Sequence, residues 1–371
     1  MTRTSLNRRL FACAIVLVTM TLTAPVVHAQ SAGRAGASTS SETLEPGWNR
    51  IDGGPSTICS LGSPYVFFVE PGDARRLVVY FAGGGACWNA EMCNADARPR
   101  RFNPAVSVQA RPHTGIFDTT RADNPVRDFT KVFVPYCTGD VHLGARTTTY
   151  TVPASNGAPE RAIEIHHNGG ANADAALNWI YAHVAAPQTI LVAGESAGSA
   201  ATPFYAAVLA ERYPAARVVQ LGDASNAYEG AGAAATSWGL YARLRAAKAF
   251  RDLDTTKFNY LSLFQLASRS SPRITFAVVN SVDDSTQTFY LRSLDHNSPT
   301  TATLLGRHDR ELSQSVPGYH SYTYPGWKHT IIGRPEFYTL TVDGIRLRDW
   351  VAQLIEGAPV RSVGTSLFPR D

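Results

Sequence analysis

The chain has no apolar run long enough to serve as a membrane-spanning helix. Its N-terminal run, Leu10 to about Ala24, is about 15 residues, short of the roughly 20 that a crossing needs. Arg3, Arg8 and Arg9 precede that run and Val27-His28-Ala29 follow it, the three parts of a secretory signal peptide. Cleavage near Ala29 is therefore expected, with a secreted or periplasmic product and no membrane span. No cysteine follows the small residues at that point, so lipid attachment is not indicated. Surplus charge is missing too. The formal net charge is +4, but the leader holds three of the arginines and no acid, leaving 31 basic against 30 acidic side chains. With a balance near neutral and no Lys/Arg cluster interleaved with aromatics, nothing supports nucleic-acid binding.

Close cysteine pairs are absent as well. Cys59, Cys87, Cys93 and Cys137 remain after cleavage, an even number in an exported chain, which reads as two disulfides with three possible pairings. Without CxxC spacing or histidines at ligand intervals, no metal is expected. The chain also lacks a GxGxxG run opening directly into a helix, since Ala82-Gly83-Gly84-Gly85-Ala86-Cys87 does not fit, so no dinucleotide cofactor is indicated. No internal repeat and no interdomain linker is visible.

What is present is an α/β alternation. Residues 30–46 are rich in Ser, Ala, Gly and Thr and read as a disordered lead-in, followed by a single catalytic domain over 47–371. Strand-like runs lie at Tyr65–Val69, Leu77–Phe81, Lys131–Tyr136, Thr189–Val192, Arg217–Leu221 and Ile274–Val279. From the second onward they are continuously apolar, as strands buried on both faces are. Helical spacing appears over Asp174–Val184, Ala197–Tyr213 and Leu347–Ile355. The alternation predicts an α/β-hydrolase-like fold, a mostly parallel sheet with helices on both faces. Two irregular stretches, Asn94–Arg127 and Tyr228 to about Arg273, are expected to form a cap over the strand ends. Pro203 either kinks its helix or marks a shorter first segment.

The chain is organised around Thr189 to Tyr205. An apolar strand ends in Gly194-Glu195-Ser196-Ala197-Gly198 and leads into a helix, the strand, turn and helix of a nucleophile elbow. Such a turn holds its serine in a strained backbone conformation that only small neighbours permit. A serine hydroxyl needs a histidine base oriented by a carboxylate, in the order Ser, acid, His for this architecture. Asp283 and Asp284 follow the strand ending at Val279, and Asp223 is a competing acid after Leu221. His329 lies downstream of all three, after an aromatic, strand-like run and before the last helix. Gly83-Gly84-Gly85, after the strand ending at Phe81, can turn amides toward an oxyanion opposite the elbow.

Five ordered blocks carry a resemblance. These are Ala82 through Cys93, Val134 through His142, Gly194 through Gly198, Asn280 through Ser285, and His329 through Ile332, with Ile58 through Pro64 as a sixth. Together, from about Trp48 to Ile355, they resemble the pectin acetylesterase and Notum family of carboxylesterases. The resemblance implies Ser196, Asp284 and His329 as triad, with amides of Gly84, Gly85 and Ala197 as oxyanion donors. It favours Asp284 over Asp283 through an Asn-x-x-x-Asp-Ser spacing that begins at Asn280. It implies disulfides Cys59–Cys137 and Cys87–Cys93. Two features depart from the family pattern: Ala86 rather than an aromatic residue precedes Cys87, and the additional cysteines of plant and animal members are absent. The expected activity is that of a secreted, monomeric serine carboxylesterase without cofactor, acting on a short-chain, acetyl-type ester such as an acetylated polysaccharide. The alternatives are a lipase or polyester depolymerase with the same triad, or a carbohydrate-binding protein that has lost catalysis.

Overall fold

A computed structural model describes residues 44–106, 112–154 and 159–369. The expected signal peptide, and the lead-in up to residue 43, lie outside the described residues. Runs of β-branched and aromatic residues become one eight-stranded sheet. Its strands are β1 (Asn49–Asp52), β2 (Val66–Glu70), β3 (Asp73–Phe81), β4 (Phe129–Val134), β7 (Thr189–Glu195), β8 (Arg217–Asp223), β9 (Thr275–Ser281) and β10 (Tyr319–Tyr324). A separate hairpin joins β5 (Arg146–Val152) to β6 (Arg161–His167). The spatial order is β1-β2-β4-β3-β7-β8-β9-β10, antiparallel at the first two pairings and parallel from β4 onward.

Successive side chains alternate between two cores. On β3 and β7, Val79, Phe81, Ile190 and Val192 face one core. There they meet helices α2 (Gly169–His183) and α3 (Ala197–Arg212), which follow the one-turn helix α1 (Ala90–Cys93) in the chain, through Ala176, Leu177 and Phe204. Val78, Tyr80, Leu191 and Ala193 face the other, where Trp350, Val351 and Leu354 of the C-terminal helix, Leu347–Glu356, cover them. Helices on both faces and parallel central strands are the α/β-hydrolase-like arrangement expected from the alternation.

The helix α3 runs unbroken through Pro203. Proline has no N–H for the carbonyl four residues back. The Thr202 hydroxyl takes that place, donating to the Ser199 carbonyl at 2.7 Å, while Gln220 Nε2 donates to the same hydroxyl at 2.7 Å. The helix thus does not stop early at the proline, because a side-chain hydroxyl serves the carbonyl that Pro203 cannot. The stretch after Tyr228 forms three short helices, α4 (Gly232–Ser237), α5 (Leu240–Ala246) and α6 (Leu261–Ser270). Between β9 and β10 lie α7 (Ser285–Leu294) and α8 (Thr301–Ser315).

Candidate active site

The sheet brings the ends of β3, β7, β8 and β9 to one edge, and the loops leaving them carry the candidate residues. Ser196 sits at the turn from β7 to α3 with φ 51° and ψ −121°, a left-handed conformation that is strained for a side chain. Serine often caps a helix N-terminus, but its hydroxyl makes no capping bond here, and the Ser196 amide donates to the Asp223 carbonyl at 2.7 Å. Packing enforces the turn. A Cβ at Gly198 would run into the Phe81 carbonyl, and one at Gly194 would come within 2.8 Å of Gly198.

His329 leaves the loop after β10. Its Nδ1 lies 2.7 Å from Asp284 Oδ2, and Asp284 is fully buried at the N-cap of α7. Asp284 Oδ1 accepts the amides of Thr286 (2.9 Å) and Gln287 (2.8 Å), and Oδ2 accepts Gln287 Nε2 (3.1 Å). A carboxylate that only accepts requires Nδ1 of the imidazole to be the protonated nitrogen, so neutral His329 presents Nε2 as a base. That Nε2 is buried and has no hydrogen-bond partner among the described residues. Ser196 and His329 line one open mouth of about 230 Å³ with Gly83, Gly84, Gly85, Glu195, Thr286, Tyr290 and Thr330. The Ser196 hydroxyl and Nε2 are not hydrogen-bonded in this conformation. Catalytic contacts of that kind commonly tighten only in the Michaelis complex.

The competing acids are placed otherwise. Asp283 is exposed. Asp223 is buried at the end of β8 and makes no hydrogen bond to the imidazole; its Oδ2 accepts the amides of Ile331 (2.7 Å) and Ile332 (2.8 Å). Burial pushes its carboxyl up to about 7, partly offset by those two amides.

The glycine loop after β3 is held from several sides. The Gly84 carbonyl accepts the Asn103 amide at 2.8 Å, and buried His142 contacts the Ala82 carbonyl through Nε2 at 2.8 Å. Burial depresses the His142 imidazole to about 4, so it is neutral and donates from Nε2. Gly85 has φ 79°, and a Cβ there would strike the Arg101 carbonyl and the Tyr290 hydroxyl. Arg101 and Asn103, in the stretch after Asn94, thus brace this loop, and none of that stretch's described residues lines the mouth. The amides of Gly84 and Gly85 meet no protein acceptor among the described residues, and Ala197 is the first residue of α3, whose amide has no intrahelical acceptor. Cys87 and Cys93 are joined across this loop, and Cys59 to Cys137, the pairing that the resemblance implied. Sulfurs of Cys87 and Cys93 also lie near His167, but as a disulfide they offer no thiolate to a metal.

Behind Ser196 lies a second, apolar pocket of about 40 Å³ walled by Ala86, Trp88, Tyr228, Trp238, Tyr260 and Tyr290. Tyr228, Trp238 and Tyr260 come from the inserted helices and their flanks, which do form the roof. Trp88, just after Cys87, supplies one aromatic wall of this pocket. Tyr290, on α7, stands between this pocket and the mouth and donates to the Arg101 carbonyl. Sequence reasoning passed over Tyr290 and Glu195. The only signal for Glu195 was its position beside the serine, and Tyr290 had none.

Residues 51–230 match the family model described as Pectinacetylesterase, a span that includes Ser196 and the glycine loop and ends before Asp284 and His329. The chain is similar to palmitoleoyl-protein carboxylesterase NOTUM of Homo sapiens, 33% identical over 94 residues, covering 24% of this chain and 19% of that protein. It is also similar to the Mus musculus protein of the same name, 34% identical over 96 residues, 24% of this chain and 19% of that one. Inactive palmitoleoyl-protein carboxylesterase notum1b of Danio rerio is 30% identical over 98 residues, 25% of this chain and 70% of that one. The chain thus spans about a fifth of the length of the two mammalian relatives.

Proposed function

Since this chain belongs to the pectin acetylesterase and Notum family of carboxylesterases, we propose that it is an exported serine esterase hydrolysing short-chain acyl esters. Ser196 Oγ attacks the ester carbonyl while His329 Nε2 takes the hydroxyl proton. The tetrahedral oxyanion lies against the amides of Gly84, Gly85 and Ala197, each contributing on the order of 3 kcal/mol when well aimed. His329 passes the proton to the departing alcohol, leaving an acyl-serine. Water then gives a proton to Nε2 and attacks the acyl carbon, and Nε2 returns that proton to Ser196 Oγ as the C–O bond breaks and the acid leaves. Asp284 holds the imidazolium through both proton transfers.

The observation that carries this reading is the 2.7 Å contact between His329 and a buried, triply hydrogen-bonded Asp284, in a ring that shares one mouth with Ser196. The acyl preference rests on the second pocket. Its volume is about 40 Å³, and a water-sized group occupies roughly 10–15 Å³ on that measure, so it takes about three such groups, an acetyl to butyryl tail. Two disulfides support an oxidising compartment. Treating the protein with a fluorophosphonate and locating the adduct by mass spectrometry tests the nucleophile, and a label elsewhere than Ser196 rejects it. A p-nitrophenyl ester series tests the pocket; octanoate hydrolysed faster than acetate and butyrate rejects the short-chain assignment.

A further inference from the structure

Strand register places Glu195 directly beside Asp223 at the ends of β7 and β8. Each holds a different part of the site. Asp223 Oδ2 accepts the amides of Ile331 and Ile332, just beyond His329 and beyond Thr330, whose φ of 57° is strained for a β-branched residue. The Glu195 side chain packs against Gly83, at the start of the loop that carries the oxyanion donors, and the Gly83 backbone favours its charged form. The second oxygen of Asp223 is buried with no hydrogen-bond partner among the described residues. An unpaired buried carboxylate oxygen beside another carboxyl is costly unless one proton serves both.

We propose that Glu195 and Asp223 act as one positioning unit, retaining a proton between them, that fixes the histidine loop through Asp223 and the oxyanion loop through Glu195. The inference rests on the esterase reading above. Burial raises both carboxyls, and the charge of Glu195 raises Asp223 further. The groups facing them are the phenols of Tyr80 and Tyr324 and the side chains of His329 and Arg334. Losing the proton puts a second negative charge beneath the place where the oxyanion forms, which opposes catalysis at alkaline pH.

The test compares Glu195→Gln with Glu195→Ala in the full-length protein. Glutamine keeps the side chain packed against Gly83 and adds a permanent donor for Asp223, so kcat on p-nitrophenyl acetate should stay within about 3-fold of the parent at pH 6.5. The ratio of Glu195→Gln to parent kcat should then rise by at least about 3-fold between pH 6.5 and pH 9. Alanine removes both contacts and should lower kcat by about 10- to 100-fold with KM within about 3-fold, the range for losing transition-state positioning. A Glu195→Ala protein with parental kcat, or a Glu195→Gln ratio flat across pH, overturns the proposal. If Glu195→Ala does not fold, the pH ratio of Glu195→Gln alone decides. Fluorophosphonate labelling of the parent separates the two readings. A parent that fails to label at Ser196 sinks the esterase reading; a parent that labels, with Glu195→Ala labelling equally fast, sinks only the positioning unit.

Discussion

Replacing Asp284 with Asn separates catalysis from folding more cleanly than any other single change in the site. Asp284 does two jobs: Oδ1 caps α7 through the amides of Thr286 and Gln287, and Oδ2 receives His329 Nδ1. Asparagine caps a helix about as well as aspartate, so the carbonyl oxygen can keep the first role with little change in stability. Its amide group then faces Nδ1 and Gln287 Nε2, where a donor meets donors. The imidazole relieves this by moving its proton to Nε2, and a protonated Nε2 cannot accept the Ser196 proton. A wrong-tautomer substitution of this kind lowers kcat by about ten-thousandfold, or about 5 kcal/mol of barrier. The assay is kcat on p-nitrophenyl acetate with a thermal melt of the same sample. The expected result is that loss of rate with a melting temperature within a few degrees. Asp284→Asn with parental turnover refutes the reasoning, and so does an Asp223→Asn protein that loses ten-thousandfold while Asp284→Asn does not.

Three further outcomes follow from the same geometry. Tyr228→Ala opens the wall of the small pocket and should raise the octanoate-to-acetate ratio of kcat/KM by at least about tenfold, since each buried methylene is worth about 0.8 kcal/mol; an unchanged ratio in a steady-state ester series means the acyl chain lies elsewhere. The disulfides should divide their effects. Cys59–Cys137 spans 78 residues and its double alanine variant should lose about 4 kcal/mol in denaturant unfolding, whereas Cys87–Cys93 spans 6 and should lose about 2 kcal/mol by the loop-closure relation, with the larger loss of esterase activity. Two opposing slopes should act on stability over the same acidic range. Asp223 is raised to about 7 in the fold, so the folded chain holds a proton that the unfolded chain releases, and stability declines as pH rises from about 4 to about 7. Buried His142 and His167 are lowered to about 4, so the unfolded chain takes up their protons first and stability declines as pH falls from about 6.5 to about 4. Asp223→Asn should remove the first slope, so its melting temperature should fall more steeply than the parent's as pH drops from about 6.5 to about 4; a variant with the parent's pH dependence contradicts the Asp223 assignment.

The parallel strands and the elbow were legible because their signals are local. β7 is an apolar run read by its own composition, and the turn after it needs glycines at fixed offsets from Ser196, which clashes with Phe81 and Gly198 explain. Strands β1 and β10 and the β5–β6 hairpin were harder to read. Arg146–Val152 is threonine-rich with only Tyr150 buried, and Tyr319–Tyr324 carries polar side chains covered only by distant elements, Tyr322 by Trp350 of the C-terminal helix and Tyr319 by Phe264 of α6 and Asp309 of α8. The pocket was illegible for a related reason. Its wall is drawn from residues 85 to 294, and its aromatic side chains look like ordinary core until the inserted helices fold back over Ser196.

From residue order alone one can read a parallel α/β chain, a serine on a sharp turn, a glycine loop able to face it, and a short choice of acids and bases, because each depends on neighbours a few positions away. Choosing among those acids required the fold. Asp223 closes β8 and Asp284 follows the end of β9 by three residues, beside the same site, and the two look alike in sequence. Only the packing of α7 against the loop after β10 aims one carboxylate at the imidazole and gives the other to the backbone of Ile331 and Ile332. The direction in which a side chain points at a strand end is set by contacts across the chain, and no local pattern encodes it.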